Sequence, residues 1–135
     1  MGLLSEAQRA QYRSQGYLVV EDLFGPADCE ALNRHAEAVV MEQVPMPERC
    51  AVWLEPDAEA QGLVRPENRY QYLFKIGHQM QMSDALFQRY AMHPALVELL
   101  EGLVGPDIKC VQSMFIDKPA GLGVGQPYHQ DAWYL

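Results

Sequence analysis

The chain has little positive charge and no long apolar run. Its 10 Lys and Arg residues stand against 18 Asp and Glu residues, which gives a formal net charge of −8. An acidic chain lacks the basic stripe that a phosphate backbone requires, and an anionic membrane surface repels it. No apolar segment is long enough to span a bilayer. We therefore expect neither nucleic acid nor a membrane among its partners.

The chain also lacks paired cysteines. Cys29, Cys50 and Cys110 stand alone and form no Cys-x-x-Cys pair, so the pattern indicates neither a structural zinc site nor a disulfide framework. We expect three reduced, buried thiols in a cytoplasmic protein. The first six residues do not have the apolar core of a signal peptide, which agrees with this location.

Apolar periodicity and capping residues predict helices and strands along the chain. Helices are predicted over 5–15, 27–43, 84–90 and 94–104, and strands over 17–20, 70–76 and 108–118. Residues 44–69 contain four prolines and are predicted to form a long loop. Overall, the pattern favours a helical N-terminal half, with the main run of strands beginning near residue 107.

The motif Tyr128-His129-Gln130-Asp131 is the most informative feature of the sequence. We expect it on a strand, where side chains at i and i+2 lie on one face, so that His129 and Asp131 stand side by side. An imidazole and a carboxylate are two of the three ligands in the 2-His-1-carboxylate triad that holds non-heme Fe(II). A His-x-Asp pair also arises by chance, and in isolation a surface pair is the more common explanation.

Three segments resemble the phytanoyl-CoA dioxygenase family of Fe(II)- and 2-oxoglutarate-dependent oxygenases. They are 12–24 (YRSQGYLVVEDLF), 112–119 (QSMFIDKP) and 126–135 (QPYHQDAWYL), in this order. The resemblance implies an α+β fold in which a helical N-terminal region precedes the first strands of a double-stranded β-helix, or jelly roll. It further implies that 1–135 is one domain, the N-terminal portion of a family domain, without the distal His and the Arg that binds the cosubstrate.

The resemblance assigns roles by position. His129 and Asp131 would bind Fe(II), Lys75 would contact 2-oxoglutarate, Met114 would line the cosubstrate pocket, and Gln130 would touch the cosubstrate. Without the resemblance, Lys75 is a solvated lysine at a strand end and Met114 is core filling. We also expect Trp133, two residues beyond Asp131, to face the pocket.

Three hypotheses remain open from the sequence. The first is a dioxygenase that uses Fe(II), 2-oxoglutarate and O₂ to hydroxylate a small organic substrate. The second is a non-catalytic truncated or split relative that acts as a binding or interaction protein, and the third is a cupin-like metal-binding protein without 2-oxoglutarate chemistry. Because half a jelly roll leaves strand edges unpaired, we expect self-association or pairing with a missing C-terminal half.

Overall fold

The structure is a computed structural model, and it describes residues 3–123 and 125–131. These residues form helices and a small antiparallel sheet, joined by irregular segments. In chain order the elements are α1 (Glu6–Gln15), α2 (Pro26–Val40), β1 (Ala51–Leu54), α3 (Pro56–Ala60), a 3₁₀-helix (Pro66–Tyr72), β2 (Leu73–Gly77), α4 (Met80–Ser83), α5 (Ala85–Ala91), α6 (Pro94–Val104) and β3 (Phe115–Ile116). This is a mixed α+β structure, as predicted, whereas the jelly roll stays a prediction.

Local capping explains where the N-terminal helices begin and end. The Ser5 hydroxyl accepts a hydrogen bond from the Gln8 N–H at 3.3 Å, and Gln8 Oε1 accepts one from the Ser5 N–H at 2.9 Å. This reciprocal pair starts α1, and Gly16 ends it with a φ of 80°. Helix α2 has Pro26 in its first turn and ends at Val40, three residues before the predicted end.

The predicted strand over 17–20 is wrong. This segment is not part of the described sheet, and the side chains of Tyr17 and Val19 are 61% and 68% exposed. Its β-branched and aromatic residues favour extended backbone, but a strand also requires a partner, and the described sheet does not supply one.

The sheet has the order β1-β2-β3, and both pairings are antiparallel. Strand β1 lies inside the segment predicted to be a loop, so the predicted loop over 44–69 and the predicted start of the strands near residue 107 are both wrong. The strand predicted over 108–118 is reduced to Phe115–Ile116, because only these residues pair with β2. The predicted strand over 70–76 is confirmed with shifted bounds, since a 3₁₀-helix occupies its first three residues.

The core lies between α2 and the middle strand. Leu73 and Ile76 of β2 are fully buried, and they belong to one apolar cluster with the inner face of α2 and with α4 and α5. The other buried members are Ala36, Val39, Val40, Met80 and Phe87. This core packs against one face of β2. The backbone that carries Lys75 is therefore held in place.

The three cysteines are free, but the expectation that they are buried is wrong for two of them. Cys29 and Cys110 are exposed, and Cys50 is half-buried. Partial burial, with a smaller contribution from Asp84, raises the pKa of the Cys50 thiol.

A buried glutamine ties the segment before β3 to α4. Gln81 is 4% exposed, and its Oε1 accepts a hydrogen bond from the Ser113 hydroxyl at 2.6 Å. Its Nε2 donates to the Cys110 carbonyl at 3.4 Å, and its backbone N–H donates to the Ser113 hydroxyl at 3.3 Å. These bonds hold Ser113 in place. They therefore also set the backbone path of its two neighbours, Gln112 and Met114.

Candidate metal and cosubstrate site

A cavity of about 290 Å³ lies at the ends of β2 and β3 and against the His-x-Asp segment. Its lining residues are Phe74, Lys75, Gln112, Met114, Ile116, Gln126, His129 and Asp131. The fold therefore brings Lys75, Met114, His129 and Asp131 together from three separate parts of the sequence. Gln130 does not line this cavity, so its contact with the cosubstrate stays a prediction, and Trp133 lies outside the described residues.

The two predicted metal ligands lie next to each other. His129 Nε2 is 3.2 Å from Asp131 Oδ1. The expected strand is not formed here, since residues 126–130 have no regular secondary structure. The irregular path of the chain, and not the alternation of a strand, brings the two side chains together.

The other ring nitrogen of His129 has a backbone partner. Nδ1 lies 2.9 Å from the Pro127 carbonyl oxygen, and because a carbonyl only accepts hydrogen bonds, Nδ1 carries the proton. In the neutral ring, Nε2 then presents its lone pair on the side of Asp131. A backbone carbonyl that fixes the tautomer in this way is typical of histidines that bind metals.

The spacing and chemistry of this pair fit a divalent metal. Two donor atoms bound to one ion at about 2.1 Å, at an angle of about 90–110°, lie about 3.0–3.4 Å apart. The observed 3.2 Å falls in this range, and the imidazole–carboxylate donor set suits Fe(II). Within residues 3–123 and 125–131, no group of three His, Cys, Asp or Glu side chains is arranged to hold a metal. That His129 and Asp131 are two of the three ligands of a triad stays a prediction.

Lys75 places a cation in the wall of the same cavity. Its Nζ lies 4.5 Å from the centre of the Trp53 ring and 3.5 Å from His78 Nε2. None of the ion pairs found among the described residues involves Lys75. Its charge is therefore available to an anionic ligand.

Trp53 and His78 were not predicted from the sequence. Trp53 lies in a segment with four prolines in 26 residues, where only the short run Ala-Val-Trp-Leu indicates a strand. This run pairs with β2, and the antiparallel register places Trp53 opposite Lys75. The sequence of the run alone does not predict that pairing.

Met114 is too exposed to be core filling, and its place in a cosubstrate pocket stays a prediction. It lines the cavity and is 37% exposed, and it also packs closely on β2. A Cβ added at Gly77 would lie 3.0 Å from Met114 Cγ. The absence of a side chain at Gly77 allows this close approach.

None of the helices in the described part of the chain is long and apolar enough to cross a membrane. The cytoplasmic location stays a prediction.

Comparisons with known proteins identify the family. The model of the phytanoyl-CoA dioxygenase (PhyH) family matches residues 12–135. The phytanoyl-CoA dioxygenase domain-containing protein 1 of Danio rerio is 27% identical over 163 residues, which cover 100% of this chain and 56% of that protein. The peroxisomal phytanoyl-CoA dioxygenase of Mus musculus is 30% identical over 136 residues, or 98% of this chain and 38% of that protein.

The chain thus spans 56% or less of the length of these two curated relatives. No solved structure gives a significant match to it. The relatives are dioxygenases or dioxygenase-domain proteins by name, which does not favour the non-catalytic alternative. The match over residues 12–135 shows that the chain belongs to the phytanoyl-CoA dioxygenase family.

Proposed function

We propose that this chain binds Fe(II) and 2-oxoglutarate and serves in the O₂-dependent hydroxylation of a small organic substrate. Members of the phytanoyl-CoA dioxygenase family in general depend on Fe(II) and 2-oxoglutarate. The observation that supports the proposal most directly is that Lys75, Met114, His129 and Asp131 line one cavity.

Each of these residues has a role that its contacts support. His129 Nε2 and the Asp131 carboxylate would hold the metal, and the Pro127 carbonyl orients the imidazole. When bound there, Fe(II) and 2-oxoglutarate would allow O₂ to oxidise a substrate C–H bond to C–OH, while 2-oxoglutarate is oxidised to succinate and CO₂. The Lys75 ammonium would bind a carboxylate of 2-oxoglutarate through a charge-assisted hydrogen bond.

The apolar wall of the cavity has a separate role. Phe74, Met114 and Ile116 border the space beside the two proposed ligands. Side chains of this kind keep water away from the reacting atoms and strengthen the electrostatic contacts there.

The proposal requires a third protein ligand and a second anchor for the cosubstrate. We propose that a distal His and an Arg complete the site, as the family resemblance implies. With two ligands, the chain by itself should bind Fe(II) weakly. The activity of a complete site and the identity of its substrate belong to this proposal.

An anaerobic calorimetric titration of the chain with Fe(II), with and without 2-oxoglutarate, tests the proposal. His129→Ala should weaken Fe(II) binding by more than about tenfold, because even changes to residues behind the ligands cost that much. Asp131→Ala should act in the same direction. The matched control is Asp107→Ala, which removes an exposed carboxylate that does not line the cavity.

Two results would contradict the proposal. One is Fe(II) binding that His129→Ala leaves unchanged, and the other is Fe(II) binding that 2-oxoglutarate does not strengthen. Succinate formation that requires Fe(II), O₂ and His129 would extend the result from binding to turnover.

A further inference from the structure

We propose that Trp53 is a positioning residue, which holds the ammonium group of Lys75 at the cavity wall for a carboxylate of the cosubstrate. This inference rests on the proposed function. It concerns a residue outside the cavity, since Trp53 is not among its lining residues whereas Lys75 is. The contact through which Trp53 would act on the cosubstrate is the one with Lys75.

The register of the sheet places the two residues together. Strand β1 pairs with β2 so that Trp53 lies directly opposite Lys75. In an antiparallel pair, side chains at facing positions lie on the same face, with their Cβ atoms about 4.5–5.5 Å apart. The contact is therefore fixed by the backbone pairing of two strands and does not depend on a chance meeting of two surface side chains.

The contact geometry is that of a cation–π interaction. Lys75 Nζ lies 4.5 Å from the centre of the Trp53 ring, within the range of about 6 Å over which this attraction acts. Among aromatic side chains, indole gives the strongest such attraction. Trp53 is 39% exposed, so this contact is partly open to solvent.

His78 restrains the same ammonium from another direction. Its Nε2 lies 3.5 Å from Lys75 Nζ, and its ring centre lies 5.7 Å from that of Trp53. A neutral imidazole nitrogen can accept a hydrogen bond from the ammonium. Lys75 Nζ thus lies beside an indole ring and an imidazole ring.

The nature of these partners decides which ligand the lysine can take. A carboxylate partner would neutralise the ammonium, whereas the indole of Trp53 restricts its position without contributing a negative charge. A positioned, unneutralised cation beside an imidazole–carboxylate pair suits an anionic chelator such as a keto acid.

The first test is NMR spectroscopy of the chain without metal or cosubstrate. The Trp53 ring current should shift the Lys75 ε-methylene protons, and Trp53→Leu should reduce this shift to the smaller part that the Phe74 and His78 rings contribute. Trp53→Phe should keep part of it, because a ring remains. Tyr17→Leu is the matched control, since it removes an exposed aromatic ring that does not line the cavity, and it should leave the shift unchanged.

The second test is a double-mutant cycle on the affinity for 2-oxoglutarate in the presence of Fe(II). Trp53→Leu should weaken binding about two- to fivefold, the effect of a partly exposed cation–π contact, and Trp53→Phe should restore part of the loss. In the Lys75→Met background, Trp53→Leu should have no further effect. A purely structural role would weaken binding equally in both backgrounds.

The two proposals fail in different ways. If 2-oxoglutarate binding does not depend on His129, the proposed function fails, and the role of Trp53 in cosubstrate binding fails with it. A different result overturns only the positioning role. In that case 2-oxoglutarate binding depends on His129, but Trp53→Leu weakens it equally in the wild-type and Lys75→Met backgrounds. A Lys75 shift of undiminished size in Trp53→Leu also overturns it, whatever the binding results.

Discussion

At the scale of single residues, Asp84 joins two helices through its two carboxylate oxygens. Oδ1 accepts hydrogen bonds from the backbone N–H groups of Leu86 and Phe87 at 2.9 and 3.0 Å, which caps α5. Oδ2 lies 2.7 Å from His35 Nε2 on α2. Both side chains of the Asp84–His35 pair are largely buried, so water does not readily replace either contact.

Replacing Asp84 should therefore destabilise the protein. Asp84→Ala should lower the free energy of unfolding by about 1–3 kcal/mol, because the cap is lost and His35 loses its partner. Asp84→Asn keeps an oxygen for the cap and should cost less. Urea denaturation followed by circular dichroism measures both variants, with the exposed Asp107→Ala as control. Equal stability of Asp84→Ala and wild type would show that neither the helix cap nor the Asp84–His35 pair contributes to the free energy of unfolding.

Asp28 gives a second residue-level prediction, which concerns acid stability. The hydrogen bond from the Tyr90 hydroxyl, 2.8 Å long, is the main reason that the pKa of Asp28 lies below its usual value, and the Gly25 N–H adds to this effect. A carboxyl with a lower pKa in the folded state stabilises the protein above its unfolded pKa of about 3.9. That contribution is lost as the pH falls through the lowered folded pKa.

Tyr90→Phe should reveal this dependence. The variant should be less stable than wild type at pH 6, and the difference should shrink below about pH 4 as Asp28 becomes protonated. Thermal unfolding of both proteins from pH 6 to pH 2.5 measures it. A difference that is constant across this range would assign the effect of Tyr90 to packing instead of to the hydrogen bond with Asp28.

At the scale of elements, α1, α2, α5 and α6 could be predicted because their signals are local, whereas α3, α4 and the 3₁₀-helix were missed. Ser5, Pro26, Asp84 and Pro94 lie at or next to the starts of α1, α2, α5 and α6, and the predicted helices lie within three residues of these bounds. The strands depend on partners far away in the sequence. Strand β3 is limited to two residues because only these meet β2, although the predicted strand extends over 108–118.

The candidate site likewise has a part that the sequence predicts and a part that depends on contacts between distant residues. The proximity of His129 and Asp131 was predicted from a strand that is absent, and the irregular path of the chain produces it instead. The grouping of Lys75 and Met114 with them came from the family resemblance, because no local pattern links residues this far apart. Trp53 was missed since its role arises only from the register of two strands.

The packing of β2 against Met114 leads to a prediction at the element scale. Gly77→Ala would place a Cβ 3.0 Å from Met114 Cγ, so Met114 must move and disturb the cavity wall. We expect a destabilisation of about 1–3 kcal/mol and a changed methyl resonance of Met114. Gly125→Ala is the matched control, because a Cβ there meets no atom within 4 Å. Unchanged stability and an unchanged Met114 resonance would show that this contact is loose.

At the scale of the whole molecule, the sheet is small and its outer strand carries apolar side chains. In the sheet that the structure describes, β3 pairs on one side only. Near it lie Val111, Met114 and Ile116, which are 50%, 37% and 53% exposed. An unpaired strand edge beside exposed apolar side chains favours association with another chain, whereas the net charge of −8 opposes it.

We therefore predict weak self-association through β3 that becomes stronger with salt, because salt screens the repulsion between two acidic chains. Ile116→Lys should weaken it by placing a charge on the edge strand. Val104→Lys changes an equally exposed apolar residue on α6 and should have little effect. Sedimentation equilibrium over a range of protein and salt concentrations distinguishes the two variants. If Ile116→Lys associates as strongly as wild type, the contact lies elsewhere, and association that weakens with salt would indicate that opposite charges drive it.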